Sequence, residues 1–203
     1  GEIQRMVAEL AEDIVQPGSN VYDLGCSTGT TLLMLDRTLP MDVNFVGVDD
    51  SHEMLVKCES KLREHQVKRK VELQCTDLHL GVDMKDASLA LMVLTLQFLR
   101  PLHRERLIAD VFKGLRENGG LILVEKVLGE DSHFNRLFIK HYYDFKRRNG
   151  YSETEIAQKR EALENVLIPY KLLENRELLL KSGFRYVDVF FKWYNFCGIV
   201  AIK

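Results

Sequence analysis

The chain has 203 residues, of which 46% are hydrophobic and 29% charged, so it is long enough to bury a sizeable core as one domain. Its formal net charge of −2 excludes the overall basic field that draws proteins to nucleic acid, and we expect no direct binding of tRNA. No apolar run is long enough to cross a bilayer, and neither the four cysteines nor the six histidines have metal-ligand spacing, so we expect no membrane span and no metal.

The first part of the chain alternates short apolar strands with helices. Apolar residues from Ile3 to Ile14 recur at helical spacing and predict an opening helix that ends at Pro17-Gly18. The predicted strands are Val21–Leu24, Val43–Val48, Val71–Cys75, Leu89–Leu94 and Leu121–Val124, and the predicted helices between them are Leu32–Leu39, Ser51–His65 and Arg104–Leu115. This alternation predicts a doubly wound α/β fold with a mostly parallel sheet.

The last part of the chain departs from this alternation. Phe184–Phe191 and Phe196–Ile202 are too close in sequence for a crossover helix, so we expect an antiparallel hairpin. Residues 129–167 are polar, aromatic and helical, and we interpret them as an insertion above the carboxyl ends of the strands within a single domain, residues 1–203. A Rossmann-like, mostly parallel seven-stranded sheet with such a hairpin resembles the class I S-adenosylmethionine-dependent methyltransferase fold.

A glycine-containing loop follows the first strand. Asp23 to Gly29 has the pattern D-x-G-x-S-x-G, in which Ser27 replaces the second glycine of a dinucleotide-binding loop. That replacement weakens the case for a pyrophosphate and favours a nucleoside whose tail carries amino and carboxylate groups. A tight strand-to-helix turn without a ligand remains the alternative.

Acidic residues follow the next two strands. Asp49 and Asp50 end the second strand, where a carboxylate can accept bonds from ribose hydroxyls. Asp77 and Leu78 follow the third strand, within reach of an adenine. Each aspartate alone is most often a helix N-cap, but together with the loop they predict a nucleoside site for S-adenosylmethionine.

The insertion contains one arginine in an apolar pattern. Ser152 and Glu155 form a capping box, which predicts a helix start. Along that helix Arg160 shares a face with apolar residues that extend to Leu167, so it needs an anionic partner. The spacing leaves two partners open: a ligand carboxylate or phosphate, and Glu164 one turn further on.

Two further features indicate the setting of the protein. The basic run Lys68–Lys70 is interpreted as a solvated face. Cys58, Cys75 and Cys197 are interpreted as small core or near-core residues of a reducing compartment, which predicts a cytoplasmic protein.

Several segments closely resemble bacterial carboxy-S-adenosyl-L-methionine synthases. They are DFKRRNGYSETEIAQKREALENV (Asp144–Val166), LAEDIVQPG (Leu10–Gly18), Tyr22–Ser27, Thr95–Leu99 and Glu125-Lys126. The resemblance implies that S-adenosylmethionine and prephenate are converted to carboxy-S-adenosylmethionine and phenylpyruvate by a homodimer. It also implies that the product serves a partner enzyme that builds 5-carboxymethoxyuridine at the tRNA wobble position.

The resemblance also implies roles for individual residues, carried over position by position. No nucleophilic side chain is required, and Arg160 matches the arginine that grips the carboxylate added to the sulfonium methyl group. Val93 stands where the family has a ligand-contacting asparagine. The residues implied to bind the cofactor are Gly25, Cys26, Ser27, Asp49, Asp50, Asp77, Leu78, Val93 and Arg160.

Two other functions use the same nucleoside site. One is a methyltransferase acting on a small molecule or on tRNA, which would need no guanidinium beside the methyl group. The other is a non-catalytic S-adenosylmethionine-binding relative, for which Val93 is the best indication in the sequence.

Overall fold

The computed structural model describes residues 1–203. Its helices and strands are, in chain order, α1 (Glu2–Ile14), β1 (Asn20–Leu24), α2 (Thr30–Asp36), β2 (Asn44–Asp49), α3 (His52–Glu64), β3 (Val71–Cys75), β4 (Ala87–Val93), α4 (Pro101–Gly114), β5 (Leu115–Lys126), α5 (Ser132–Arg148), α6 (Glu153–Leu163), α7 (Leu172–Lys181), β6 (Tyr186–Trp193) and β7 (Phe196–Ile202). Two 3₁₀ helices, Leu78–Leu80 and Leu96–Phe98, follow β3 and β4.

The seven strands form one sheet in the order β3-β2-β1-β4-β5-β7-β6. Strands β1 to β5 are parallel, whereas β7 runs antiparallel to both β5 and β6. The mostly parallel sheet and the C-terminal hairpin predicted from the sequence are therefore confirmed. The hairpin turn is tighter than expected, because β6 continues to Trp193 and only Tyr194 and Asn195 connect the strands.

Helices cover both faces of the sheet, which explains why its central strands are almost entirely apolar. Helices α1, α2 and α3 bury residues such as Val7, Leu35 and Leu55 against one face. Helices α4 and α7 bury residues such as Leu107 and Leu179 against the other. None of the helices is both long and apolar enough to span a membrane.

The segment between β5 and α7 differs in detail from the predicted helical stretch. It forms two helices, α5 and α6, and α6 begins at the predicted capping box of Ser152 and Glu155. Helix α6 ends at Leu163, so the predicted helical continuation to Leu167 is wrong. Helix α7 was missed by the sequence analysis, although its buried residues Asn175, Leu178 and Leu179 have helical spacing.

The interpretation of Lys68–Lys70 as a solvated face is wrong for its central residue. The side chain of Arg69 is fully buried. It pairs with the carboxylate of Asp36, donates to the carbonyl oxygens of Leu39 and Val43, and lies over the ring of Phe45, 4.3 Å from its centroid. Arg69 therefore links the connection between α2 and β2 to the residues just before β3.

Replacing Arg69 with methionine should destabilise the fold strongly. The methyl thioether fills part of the volume, but it leaves a carboxylate and several carbonyl oxygens without a donor, so we expect a loss of about 3 kcal/mol in the free energy of unfolding. Arg63→Met is the matched control, because Arg63 makes only an exposed pair with Glu59 and should lose less than about 1 kcal/mol. Urea denaturation measures both variants, and equal losses would contradict the assigned role of Arg69.

Candidate functional site

A cavity of about 510 Å³ lies at the carboxyl ends of the parallel strands. It contains seven of the nine residues that the sequence analysis implied to bind the cofactor: Gly25, Ser27, Asp49, Asp50, Asp77, Leu78 and Val93. Its remaining lining residues are Thr76, His79, Leu94, Thr95, Phe98, Leu99 and Val166. Residues that follow four parallel strands thus meet at one edge of the sheet, together with Val166 from the connection after α6, as expected for ligand sites of open α/β folds.

The loop after β1 is held close to the neighbouring strand by its own backbone. The N–H groups of Gly25 and Cys26 both donate to the carbonyl oxygen of Val48, at 2.7 and 3.0 Å. Gly25 has φ = +84°, and a Cβ at this position would collide with the side chain of Thr95. Glycine is therefore required here for two reasons, the backbone conformation and the close approach of the loop after β4.

Asp49 holds the loop in place through hydrogen bonds within the protein. Its Oδ2 atom accepts the N–H of Ser27 at 2.8 Å, and its Oδ1 atom accepts the N–H of Ser51 at 3.0 Å. Ser27 adopts a positive φ of 47° in this loop. Each carboxylate oxygen keeps a second acceptor position, and the adjacent Asp50 is exposed at the cavity.

The connection after β3 supplies one polar and one apolar wall of the cavity. Asp77 caps the 3₁₀ helix through the N–H of His79 at 2.9 Å, and this bond together with the His79 ring lowers the pKa of Asp77. Leu78 is buried and lies beside the cavity. The predicted pair is therefore brought to the same cavity as the glycine loop.

Val93 separates two cavities. It lines the large cavity and also a small apolar one of about 60 Å³ beneath α1, where Ile3, Val7 and Met34 face it. Its side chain offers no hydrogen bond to a ligand, so at this position the wall of the large cavity is apolar.

Two predicted residues do not line the cavity. Cys26 is buried, and a hydrogen bond with the Cys58 thiol, followed by burial, raises its pKa. Arg160 lies exposed on α6, and the chain returns to the cavity only at Val166. The alternative pairing of Arg160 with Glu164 is wrong, because α6 ends before Glu164 and no ion pair joins the two residues.

The cavity wall formed after β4 is held by buried residues for which the sequence pattern predicts no role. Buried Glu125 accepts the N–H groups of Thr95, Leu96 and Gln97 at 2.9 to 3.0 Å. Burial raises the pKa of Glu125 to about 8, although these three bonds oppose the shift. The only sequence signal was the resemblance of Thr95–Leu99 and Glu125-Lys126 to the family.

Buried Arg104 fastens the other side of this wall. Its guanidinium donates to the carbonyl oxygens of Leu99 and Ile168 and lies over the ring of Tyr170, 4.1 Å from its centroid. The backbone N–H of Ile168 in turn donates to the carbonyl oxygen of Gln97 at 2.8 Å. The chain that leaves α6 is thereby attached to the cavity.

The groups present fit a nucleoside with a cationic amino-acid tail. Asp23 is almost fully buried at the end of β1, and its Oδ2 atom has no hydrogen-bond partner. Burial, reinforced by the charge of Asp49, raises the pKa of Asp23 to about 7. An unpartnered buried carboxyl beside the glycine loop suits a nearby positive charge, and the apolar residues Leu78 and Phe98 suit a planar base.

The comparisons with known proteins agree with this fold. The sequence profile described as "Methyltransferase domain" matches residues 21–119. A solved S-adenosylmethionine-dependent methyltransferase from Methanosarcina mazei superposes with a TM-score of 0.69 at 19% identity, over 96% of this chain and 96% of that one. The chain is a transferase that uses S-adenosyl-L-methionine and has the class I methyltransferase fold.

The curated relatives are more specific. The carboxy-S-adenosyl-L-methionine synthase of Methylococcus capsulatus is 64% identical over all 203 residues of this chain, which span 84% of that protein. The enzyme of the same name from Helicobacter pylori strain Shi470 is 42% identical over 97% of this chain and 81% of its own length. This chain belongs to the carboxy-S-adenosyl-L-methionine synthase family.

Gly25→Ala should destabilise the protein by more than the positive φ at this position accounts for. Gly150→Ala is the matched control, since Gly150 has φ = +86° and open space around it. We expect Gly25→Ala to lose about 1–3 kcal/mol more in the free energy of unfolding than Gly150→Ala, because Thr95 must move. Thr95→Ala in the same chain should recover part of that difference, and a double-mutant cycle by urea denaturation measures it; additive losses would contradict the contact.

Asp23 should give stability a recognisable pH dependence. Its folded pKa of about 7 lies above the ordinary value of 3.8, so the folded state binds a proton between these limits that the unfolded chain has released. Stability therefore falls as pH rises through this window, by up to about 1.4 kcal/mol per pH unit for one group. Glu125 contributes in the same direction, so Asp23→Asn should reduce the slope without abolishing it.

The measurement is urea denaturation of the ligand-free protein between pH 5 and pH 8. Asp13→Asn, at an exposed position of α1, serves as the control and should keep the slope of the unaltered protein. An unchanged slope in Asp23→Asn would mean that Asp23 does not bind the proton.

Proposed function

We propose that this enzyme forms carboxy-S-adenosylmethionine from S-adenosylmethionine and prephenate and releases phenylpyruvate. The name shared by its close relatives gives the product class, and the resemblance of Asp144–Val166 to the family supports prephenate as the carboxyl donor. The observation that carries the proposal is the convergence of seven implied ligand-binding residues on one cavity.

Each part of the cavity has a proposed role in binding. The backbone of the loop from Gly25 to Ser27 receives the amino-acid tail, with Asp23 behind it as the acidic partner of the amino group. Asp49 and Asp50 accept bonds from the ribose hydroxyls. Asp77 receives the adenine amino group, and Leu78 with Phe98 packs against the ring.

The proposed reaction needs positioning and charge stabilisation rather than a nucleophilic side chain. Loss of carbon dioxide from prephenate makes its ring aromatic and expels the ring hydroxyl as hydroxide. Hydroxide and the proton lost from the sulfonium methyl group give water, and the methyl carbon forms its new bond with the carbon dioxide. The chain excludes bulk water, aligns the two substrates and binds the new carboxylate through Arg160.

Arg160 is suited to that role by its lack of a protein partner. It is exposed on α6 and forms none of the ion pairs of the structure, whereas Arg147 on α5 is paired with Asp144 and Glu153. Val166 and Ile168 attach the segment after α6 to the cavity wall, so a displacement of α6 would also displace this part of the wall.

The wider setting is proposed from the resemblance and from the surface of the molecule. The product would serve a partner enzyme that makes 5-carboxymethoxyuridine in tRNA, and the net charge of −2 favours a small-molecule substrate over tRNA itself. A homodimer in the cytoplasm is proposed, supported by α5, which buries no residue within the chain and leaves Phe134 and Phe145 exposed at 49% and 42%.

A simple methyltransferase is the second candidate. Two observations favour it: Arg160 does not line the cavity, and Val93 supplies an apolar wall where the family has an asparagine. The same observations apply to a non-catalytic binder, which would hold S-adenosylmethionine without turnover.

The decisive experiment is mass spectrometry of the nucleoside after incubation of the protein with S-adenosylmethionine and prephenate. We expect a product heavier than S-adenosylmethionine by one carbon dioxide, and an equal amount of phenylpyruvate. S-adenosylmethionine recovered unchanged would overturn the proposal and indicate a protein that binds S-adenosylmethionine without turnover. Methyl transfer to an added acceptor, without the heavier product, would favour the methyltransferase.

Arg160→Met gives the matched variant for this assay. We expect carboxy-S-adenosylmethionine to bind at least tenfold more weakly to the variant, while the Kd for S-adenosylmethionine changes less than about twofold, because only the former carries the added carboxylate. Arg148→Met, at an exposed position of α5, should change neither. Equal weakening for both nucleosides would contradict the role of Arg160.

A further inference from the structure

Two lysines lie around one aromatic ring, a third lies on the next helix, and none of the three has an ion-pair partner. Lys126 ends β5, Lys146 lies on α5 and Lys159 on α6, and we call these three residues the lysine cluster. The ammonium groups of Lys126 and Lys146 lie 5.1 and 5.0 Å from the ring centroid of Tyr142. None of the three lysines forms an ion pair, and no side-chain hydrogen bond is made by their ammonium groups.

The charges of the cluster act on one another. Burial, followed by the charges of Lys146 and Lys159, lowers the pKa of Lys126. Burial and then Lys159 also lower the pKa of Lys146. Positive charges gathered in a partly buried place without a carboxylate disfavour one another, and an anion bound between them would remove that cost.

The cluster begins at the edge of the cavity. Val124 is paired with Val93, the last residue of β4, so Lys126 extends about 7 Å beyond the end of that strand. The backbone N–H of Lys126 donates to the side chain of Gln97 at 3.0 Å. Gln97 belongs to the wall held by Glu125, so the backbone of Lys126 is attached to the cavity wall.

The aromatic side chains around the cluster match a flat, ring-bearing anion. The ring of Tyr142 is shared by Lys126 and Lys146. The ring centroid of Phe196 lies 5.7 Å from the ammonium group of Lys126, and that of Tyr151 lies 5.8 Å from the ammonium group of Lys146. Cation–π packing alone would account for one lysine on a ring. It does not account for two lysines that share the ring of Tyr142 while neither has an anionic partner.

We propose that the lysine cluster and Tyr142 form the binding site for the carboxylate groups of the carboxyl donor. This inference rests on the proposed function, in which that donor is prephenate, a ring with two carboxylates. The cluster holds the donor by charge beside the cavity that receives S-adenosylmethionine. The three lysines are thus residues that determine the specificity for the second substrate.

Steady-state kinetics with prephenate as the varied substrate test this site. Lys126→Met, Lys146→Met and Lys159→Met keep the aliphatic stem and remove the charge. We expect each to raise the KM for prephenate about tenfold, or the Kd for prephenate in the presence of S-adenosylhomocysteine by the same factor, because one charge-assisted contact is lost. The Kd for S-adenosylmethionine should stay within about twofold.

The controls separate binding from folding. Lys140→Met removes an exposed lysine from α5 outside the cluster and should leave the KM unchanged. Lys146→Arg restores the charge and should recover most of the affinity for prephenate. Lys159 is exposed, so Lys159→Met keeps the test available if the half-buried Lys126→Met does not fold.

The outcomes for the site and for the proposed function are distinct. If the unaltered protein makes carboxy-S-adenosylmethionine from prephenate and the lysine variants keep its KM and Kd for prephenate, the site is refuted and the proposed function stands. If the unaltered protein makes no such product, the proposed function itself fails, and with it the identity of the donor. A parallel loss of S-adenosylmethionine binding in all three variants would also refute a site specific to the second substrate.

Discussion

The carboxylate of Glu125 accepts hydrogen bonds from three consecutive backbone N–H groups, and the wall of the cavity depends on this arrangement. Strand β4 ends at Val93, so the chain that follows has no further strand partner for these N–H groups. Glu125 supplies the missing acceptors from the neighbouring strand. Unpaired buried N–H groups and an unpaired buried carboxylate are both costly, so each satisfies the other. Thr95 is therefore held against Gly25, and glycine is the only residue type at position 25 that leaves space for the Thr95 side chain.

The other acidic residues at this edge of the sheet follow the same logic. Asp49 holds the glycine loop by accepting the N–H of Ser27, and Asp77 holds the start of a 3₁₀ helix. These carboxylates fix the backbone before a ligand arrives, so the site can be organised in advance and binding need not order the loops. Asp23, by contrast, is buried and has one oxygen without a hydrogen-bond partner, so it is not committed to holding the backbone in this way.

The sequence predicted the elements whose signal is local. Sequence patterns located all seven strands, although β5 begins at Leu115 rather than at the predicted Leu121, and they identified the capping box at Ser152. The positions of Asp49 and Asp77 after parallel strands indicated one shared edge. Sequence patterns failed where the role of a residue depends on partners far away in the chain. Arg69 looks solvated in a basic run, but its partners lie about 30 positions earlier. Glu125 is likewise separated from Thr95 by 30 positions, and no spacing rule links them.

The position of β7 has a consequence for the order in which the sheet is completed during synthesis. Strand β7 lies between β5 and β6 in the sheet, although it follows both of them in the chain. Strands β1 to β4, which carry most of the cavity, pair only with strands that precede β6, so this half can assemble on the nascent chain. Until β7 emerges, one side of β5 is an open edge that can pair with other chains. Pairing of β7 with β5, rather than formation of the ligand site, is therefore the step that removes this open edge from the nascent protein.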